Sequence, residues 1–398
     1  VRRHRRAAGA LVIAGMLAAS SACESAPRDP APPDPVVDLA RLDVGSYPTQ
    51  PRELGTAKNP DQARMIEAQR LGNVVPTAAD IDPAFRESNA FVSSVFIDPR
   101  NSLGKIMNID RFAEAAPDFV AGFLSHGSTE AKNQGRDLFN AVLIFPDEQR
   151  ATAAAEALER VDFEANEHNE RVPIPKYPAA RAHWQPREQS IGSWVATGKF
   201  VVYTWIFDYL KIFLEQVDLP ALQALVEKSL DAVLPAIAAF TPTPADQLMT
   251  IRIDMDGMLG RALPRQREDG WLDPPGAFTG HAALHFTSDP ADDRRIIEAA
   301  GVDRYATDGI ELYRARDAAA AKRLREERGR LTKKFTGAAA PENLPVASCK
   351  EYIGREALAI RYYCSVAYDR YAAFSASHQL LDAQQRISAQ YAILVHAK

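Results

Sequence analysis

Residues 193–205 (SWVATGKFVVYTW) and 364–376 (CSVAYDRYAAFSA) stand 171 positions apart and align without a gap. In each, two alternating runs flank a two-residue break, Gly198-Lys199 in one and Asp369-Arg370 in the other. Alternation predicts half-buried strands, and the break predicts a hairpin turn. A chain that repeats such a segment at long range is expected to fold as two related units, each with its own apolar surface to bury.

The flanking segments extend the match. The strand-like runs 137–144 and 308–315 keep the same offset, and each leads into an Ala-rich helix, over 148–160 and 317–331. In the second helix Ala318, Ala321, Leu324 and Leu331 are expected to face inward. Further upstream, residues 91–99 pair with 282–290, both read as a strand running into an Asp-Pro turn (Asp98-Pro99, Asp289-Pro290), and 109–113 pair with 302–306. After the hairpin each unit closes with an amphipathic helix. The first is expected to start at the cap Asp218 with Pro220 in its first turn and to run to about residue 240; the second covers 379–395.

Each unit therefore reads strand, helix, strand, helix, two or three antiparallel strands, helix. That order predicts an α+β fold of two ferredoxin-like units, of the dimeric α+β barrel kind, with antiparallel sheets and helices on one face. The units are expected over 88–240 and 277–398, joined by a Pro-rich linker at 241–276. Residues 37–87 read as irregular, with one helix at 61–71.

The N-terminus carries a different message. Arg2, Arg3, Arg5 and Arg6 precede an apolar run over 7–19, then Ser20-Ser21-Ala22 and Cys23. This is the order of a secretory signal over residues 1–22. The apolar run is shorter than the roughly 20 residues that span a bilayer. Cys23 stands where bacterial lipoproteins carry their lipid. A tether over 23–36, extended by five prolines, follows it. Ser20 occupies a position that is usually aliphatic, so ordinary cleavage after Ala22, giving a secreted protein, stays open. If Cys23 is lipidated, Cys349 and Cys364 are left to pair. Cys364 begins the first strand of the second hairpin and Cys349 lies in the preceding run, 346–352, within cross-strand reach. The same offset points to Pro178 and Ser193 in the first unit, so only the second is expected to be stapled.

Removing four arginines and no acid with the signal takes the formal charge from -5 to -9. An acidic chain argues against nucleic acid as a partner, and against electrostatic attraction to anionic lipid. Membrane contact is therefore expected through the acyl chain alone. The sequence contains none of the G-x-S-x-G, H-E-x-x-H, P-loop or G-x-G-x-x-G patterns, and nominates no catalytic residue, metal site or cofactor. His281 and His285 form a four-residue pair, but a metal site needs three or four convergent ligands; a polar edge is expected. Asp254-Met-Asp256-Gly257 opens like a calcium loop, yet Met258 and Arg265 occupy two ligand positions of such a loop, and a turn is expected. Phe200, Tyr203 and Trp205 in one unit and Tyr368, Tyr371 and Phe374 in the other make matched aromatic stretches. One face of each aromatic stretch is expected in a core. The other is expected to line a groove between the units, the place to look for a small-molecule or lipid ligand.

The N-terminal signal, residues 40–52 (ARLDVGSYPTQPR) and the closing pattern Cys364, Tyr371 and 383–391 (AQQRISAQY) resemble lipoproteins of mycobacteria, nocardiae and rhodococci with paired N- and C-terminal domains. The resemblance implies envelope attachment in an actinobacterium and brings no catalytic residue with it. The expected function is non-enzymatic: an anchored lipoprotein on the extracytoplasmic face that binds a small or lipidic ligand or an envelope protein. The alternative is an extracytoplasmic enzyme, oxidoreductase-like, with its site between the units.

Overall fold

A computed structural model describes residues 35–397 apart from 89–91, 131–133, 267–274 and 357–358. Cys23, the signal and nearly all of the tether lie outside the described residues. Residues 37–398 form one compact unit.

The first half contains α1 (Pro60–Gly72), α2 (Ala78–Ile81), β1 (Ser94–Phe96), α3 (Phe112–Ala115), β2 (Ala121–Ser128), β3 (Arg136–Ile144), α4 (Glu148–Glu164), β4 (Glu170–Val172), β5 (Arg181–Gln185), β6 (Ser190–Thr197), β7 (Phe200–Asp208), α5 (Tyr209–Phe213) and α6 (Leu219–Ala238). The second half contains α7 (Met258–Arg261), β8 (Gly276–Thr279), α8 (Pro290–Ala300), β9 (Arg304–Thr307), β10 (Glu311–Arg314), α9 (Ala318–Gly329), β11 (Phe335–Ala338), β12 (Ser348–Tyr352), β13 (Tyr362–Tyr368), β14 (Tyr371–Ser377) and α10 (Leu380–His396).

The strands form two seven-stranded sheets, in the orders β1-β2-β3-β7-β6-β5-β4 and β8-β9-β10-β14-β13-β12-β11. The two orders are identical strand for strand, and every neighbour pair is antiparallel. The chain is thus a duplication of one α+β unit. Each unit runs strand, helix, two strands, helix, four strands, helix. The matched hairpins are β6–β7 and β13–β14. Their first loop residues, Gly198 and Asp369, take φ of +51° and +47°, a region open to Gly and tolerated by Asp.

Four expectations are corrected. Both sheets are open, so neither closes as a barrel, and the seven-strand order, consecutive except where β3 meets β7 and β10 meets β14, differs from the interleaved βαββαβ path of a ferredoxin-like unit. Helices cover both faces of each sheet rather than one. In the first sheet α4 packs over Leu143, Trp194, Val201 and Tyr203, while α1 and α6 pack over Phe123, Val142, Val195 and Val202 on the opposite face. In the second sheet α9 lies over Tyr305 and Tyr313, and α10 over Leu312, Val366 and Ala373. Alternate strand residues point to opposite faces, and here both alternating sets are apolar. Lastly, residues 282–286 form a 3-10 helix rather than a strand; the strand is β8, just before it. Asp98 and Asp289 cap helical turns whose first residues are Pro99 and Pro290. Residues 112–115 are helical where 304–307 form a strand, so the pairing of 109–113 with 302–306 does not hold either.

The α4 and α9 helices begin alike, at Asp147 and Asp317, whose carboxylates accept from the backbone N–H three residues on. In α9, Ala320, Ala321 and Leu324 are buried and Ala318 faces solvent; Leu331 lies beyond the end of the helix and is exposed. The two halves share one hydrophobic cluster, and α1 lies against both β2 and β8. The N-terminal segment is fastened to the second half: Leu42 and Tyr47 join the α10 core, and Arg52 pairs with Asp308 at 2.8 Å.

Candidate functional site

Identical strand order allows the two sheets to be compared rung by rung. Residues directly opposite on antiparallel strands share a face. One rung of the first sheet reads Leu124, Ala141, Tyr203, Trp194, Arg181 across β2, β3, β7, β6 and β5. The corresponding rung of the second reads Thr307, Glu311, Phe374, Ser365, Ser348. In the first sheet this rung is filled. Trp194 and Tyr203 are fully buried beneath α4 and stack at 4.0 Å between centroids. The indole N–H of Trp194 donates to Asp162 Oδ2 at 3.0 Å.

In the second sheet Ser365 stands where the indole would be, and the space beneath α9 is a cavity of about 530 Å³. Phe335, Tyr363 and Phe374 supply aromatic walls, and Ser348 and Ser365 face each other with their hydroxyl oxygens 3.2 Å apart. The rim reaches the surface at Asp292, Glu327 and Arg330, whose side chains are 44%, 44% and 61% exposed.

Charge has also entered the second unit. Counted from the caps Asp147 and Asp317, Arg328 stands where the first unit has the fully buried Leu158. Its guanidinium lies over the rings of Tyr313 and Phe374, 4.8 and 5.1 Å from their centroids. It pairs with Glu311 Oε2 at 3.4 Å and Asp293 Oδ1 at 3.6 Å, and donates to the Tyr313 hydroxyl. Glu311, which replaces Ala141, is about a third exposed, and it lines the cavity. Burial pushes its carboxyl above the ordinary range, against the pull of Arg328.

Lys350 completes the set. It stands opposite Tyr363 on β12, where the first sheet has the buried His183. Its Nζ donates to the Arg328 carbonyl at 2.7 Å and lies 4.4 Å from the Phe335 centroid. Among the described residues no carboxylate lies within ion-pair distance of it. Burial, with Arg328 nearby, holds its ammonium below the usual lysine range.

The residues singled out in the sequence fall elsewhere. Cys349 and Cys364 are directly opposite on β12 and β13 and form a disulfide, with Cα atoms 4.1 Å apart. They border the cavity, but pack with the α10 core on the far face of the sheet. Their counterparts are Ala182 and Ser193 rather than Pro178 and Ser193, because the β5–β6 connection is shorter than β12–β13. His281 and His285 do not share a face: a 3-10 turn has three residues, and the rings go to Asp80 (2.9 Å) and to the Val75 carbonyl (3.0 Å). Asp254 accepts from the N–H groups of Leu259 and Gly260, and Asp256 pairs with Arg304. No group of three or more potential metal ligands occurs among the described residues. Of the matched aromatics, Tyr203 is core and Phe374 lines the cavity, which lies within the second unit rather than between the two. None of Glu311, Arg328 and Lys350 stands out in the sequence. The signal that exposes them is the replacement of an apolar residue by a charged one, or a large residue by a small one, at equivalent places in the repeat.

A second recess of about 580 Å³ lies where residues 51–55 meet 252–261 and the end of α10. Among the described residues no helix is long and apolar enough to cross a membrane.

No curated protein matches the sequence. Among solved structures, the extracellular domain of PknH from Mycobacterium tuberculosis is similar over 42% of this chain and 96% of its own, with 12% identity and a TM-score of 0.29. At that score the likeness carries no structural argument. The N-terminal model of the domain of unknown function DUF7373 matches residues 54–253 and the C-terminal model residues 258–397. Together these cover most of the chain, which therefore belongs to the DUF7373 family.

Proposed function

We propose that this protein is an exported lipoprotein, held at the membrane by lipid on Cys23, that binds a small molecule in the cavity of its second unit. The observation that carries the reading is the contrast within the repeat. The same place on the same fold is packed solid by Trp194 in one unit and left open by Ser365 in the other. An open volume of this size falls within the roughly 300–1,000 Å³ of small-molecule sites, and its aromatic walls with a few inward polar groups fit such a site. Binding is favoured over turnover because Arg328, Glu311 and Asp293 are engaged with one another. The tether over 23–36 would hold the site away from the bilayer surface.

Native mass spectrometry of protein purified from its own envelope tests this. The expected result is a bound species in the wild type that disappears in Ser365→Trp, which rebuilds the filled rung. Bound mass that survives Ser365→Trp unchanged would place the ligand elsewhere. In the same preparation Cys23→Ala is expected to move the protein from the membrane to the soluble fraction; continued membrane attachment would refute lipidation.

A further inference from the structure

We infer that the cavity selects a small organic anion with a flat apolar body, whose charged group is received by Lys350. The inference rests on the cavity being a binding site, and adds the class of ligand.

Most charges that line the cavity are already answered within the protein. Arg328 faces two carboxylates, Glu311 and Asp293, and its planar group rests on the edge-to-face pair Tyr313 and Phe374. The single positive charge of Arg328 is thus met by two carboxylates and is not left over for a ligand. At the rim Asp292 and Glu327 both meet Arg295, and Glu327 also meets Arg330. Asp308 is held by Arg52 and by the backbone N–H of Arg265. Lys350 is different. It has three N–H donors, one carbonyl acceptor and the Phe335 ring, and no carboxylate partner among the described residues. A cation left with so few acceptors in a partly desolvated wall is stabilised by an incoming anion, which forms a charge-assisted hydrogen bond.

The shape of the site agrees. Lys350, Tyr363, Ser365, Ser348 and Phe374 project from the same face of neighbouring strands. An anionic group at Lys350 would also come near the paired hydroxyls of Ser348 and Ser365, while a flat body lies along Tyr363 and Phe374, which can stack on it. The first unit offers no counterpart, since His183 replaces Lys350 and the Trp194 indole occupies the space.

Two dyes with one body test the charge separately from the cavity. 8-Anilinonaphthalene-1-sulfonate carries an anion that N-phenyl-1-naphthylamine lacks. In fluorescence titrations the wild type is expected to bind the sulfonate about tenfold or more tightly than the neutral dye, the size of one charge-assisted hydrogen bond. Lys350→Met is expected to remove that preference while leaving the neutral dye within about twofold, and Lys350→Arg to retain it. Ser365→Trp, with Ser365→Phe as a second filling substitution, is expected to abolish binding of both dyes, with far-UV circular dichroism confirming the fold. Equal affinity for the two dyes in the wild type, or a preference unchanged in Lys350→Met, overturns the anion inference and leaves the cavity standing if filling still abolishes binding. Failure of both dyes to bind the wild type, or equal binding to the filled variants, overturns the cavity reading and the inference with it.

Discussion

Asp162, on the buried face of α4, is 7% exposed; it accepts from the Trp194 indole and lies 3.6 Å from His183 Nε2. Burial pushes its carboxyl up to about 6 from an ordinary 3.8. The folded state therefore holds this proton more tightly than the unfolded state. The stabilising contribution is fully present below about pH 4 and is lost as pH rises through about 6. His183 works in the opposite sense: burial, then Arg171, holds it down to about 4, so its contribution is present above 6.5 and is lost as pH falls through about 4. Asp162→Asn isolates the first effect. In urea unfolding from pH 4 to pH 7.5, the variant is expected to gain on the wild type by about 3 kcal/mol, the free-energy equivalent of roughly two pKa units. A constant difference between the two proteins would show that Asp162 titrates normally. At this scale the cap Asp218 was legible, whereas Asp317, read as the first helical residue, is the cap of α9. Asp289 was ambiguous, because Asp-Pro suits both a turn and a cap followed by Pro at N1. The cavity residues were hidden for another reason: a Lys or Arg in a sequence says nothing about whether its partner is present.

The disulfide belongs to the scale of the element, since it locks β12 to β13 across a separation of 15 residues. The first unit has Ala182 opposite Ser193 at this position and needs no staple: there β5 and β6 are packed on both faces, Trp194 beneath α4 and Trp184, Ile191 and Val195 in the core on the opposite face. In the second unit the longer β12–β13 connection and the cavity leave the pair of strands less supported. Replacing both cysteines by alanine is expected to cost about 3 kcal/mol, by the entropy of the released loop, read as a lowered urea midpoint. An unchanged midpoint would show that packing alone holds β12. Long alternating strands and amphipathic helices were readable because their periodicity spans many residues. The run over 91–99 did contain the short strand β1, but the edge strand β8 and the 3-10 helix over 282–286 were not readable. An apolar run of four or five residues has no period that separates strand from helix, and tertiary context decides.

At the scale of the whole molecule, a shared seven-strand order has been kept twice while one rung has diverged. The duplication was legible from two hairpins at a fixed distance; the sheet order was not, because strand pairing across long connections leaves no local mark. The most direct test is a crystal structure of protein isolated from its native envelope without refolding. Density for a bound molecule is expected in the second unit, between Lys350 and Phe374, with the first unit filled by Trp194 and Tyr203. An empty second-unit cavity with a bound molecule in the recess formed by residues 51–55 and 252–261 would contradict the account.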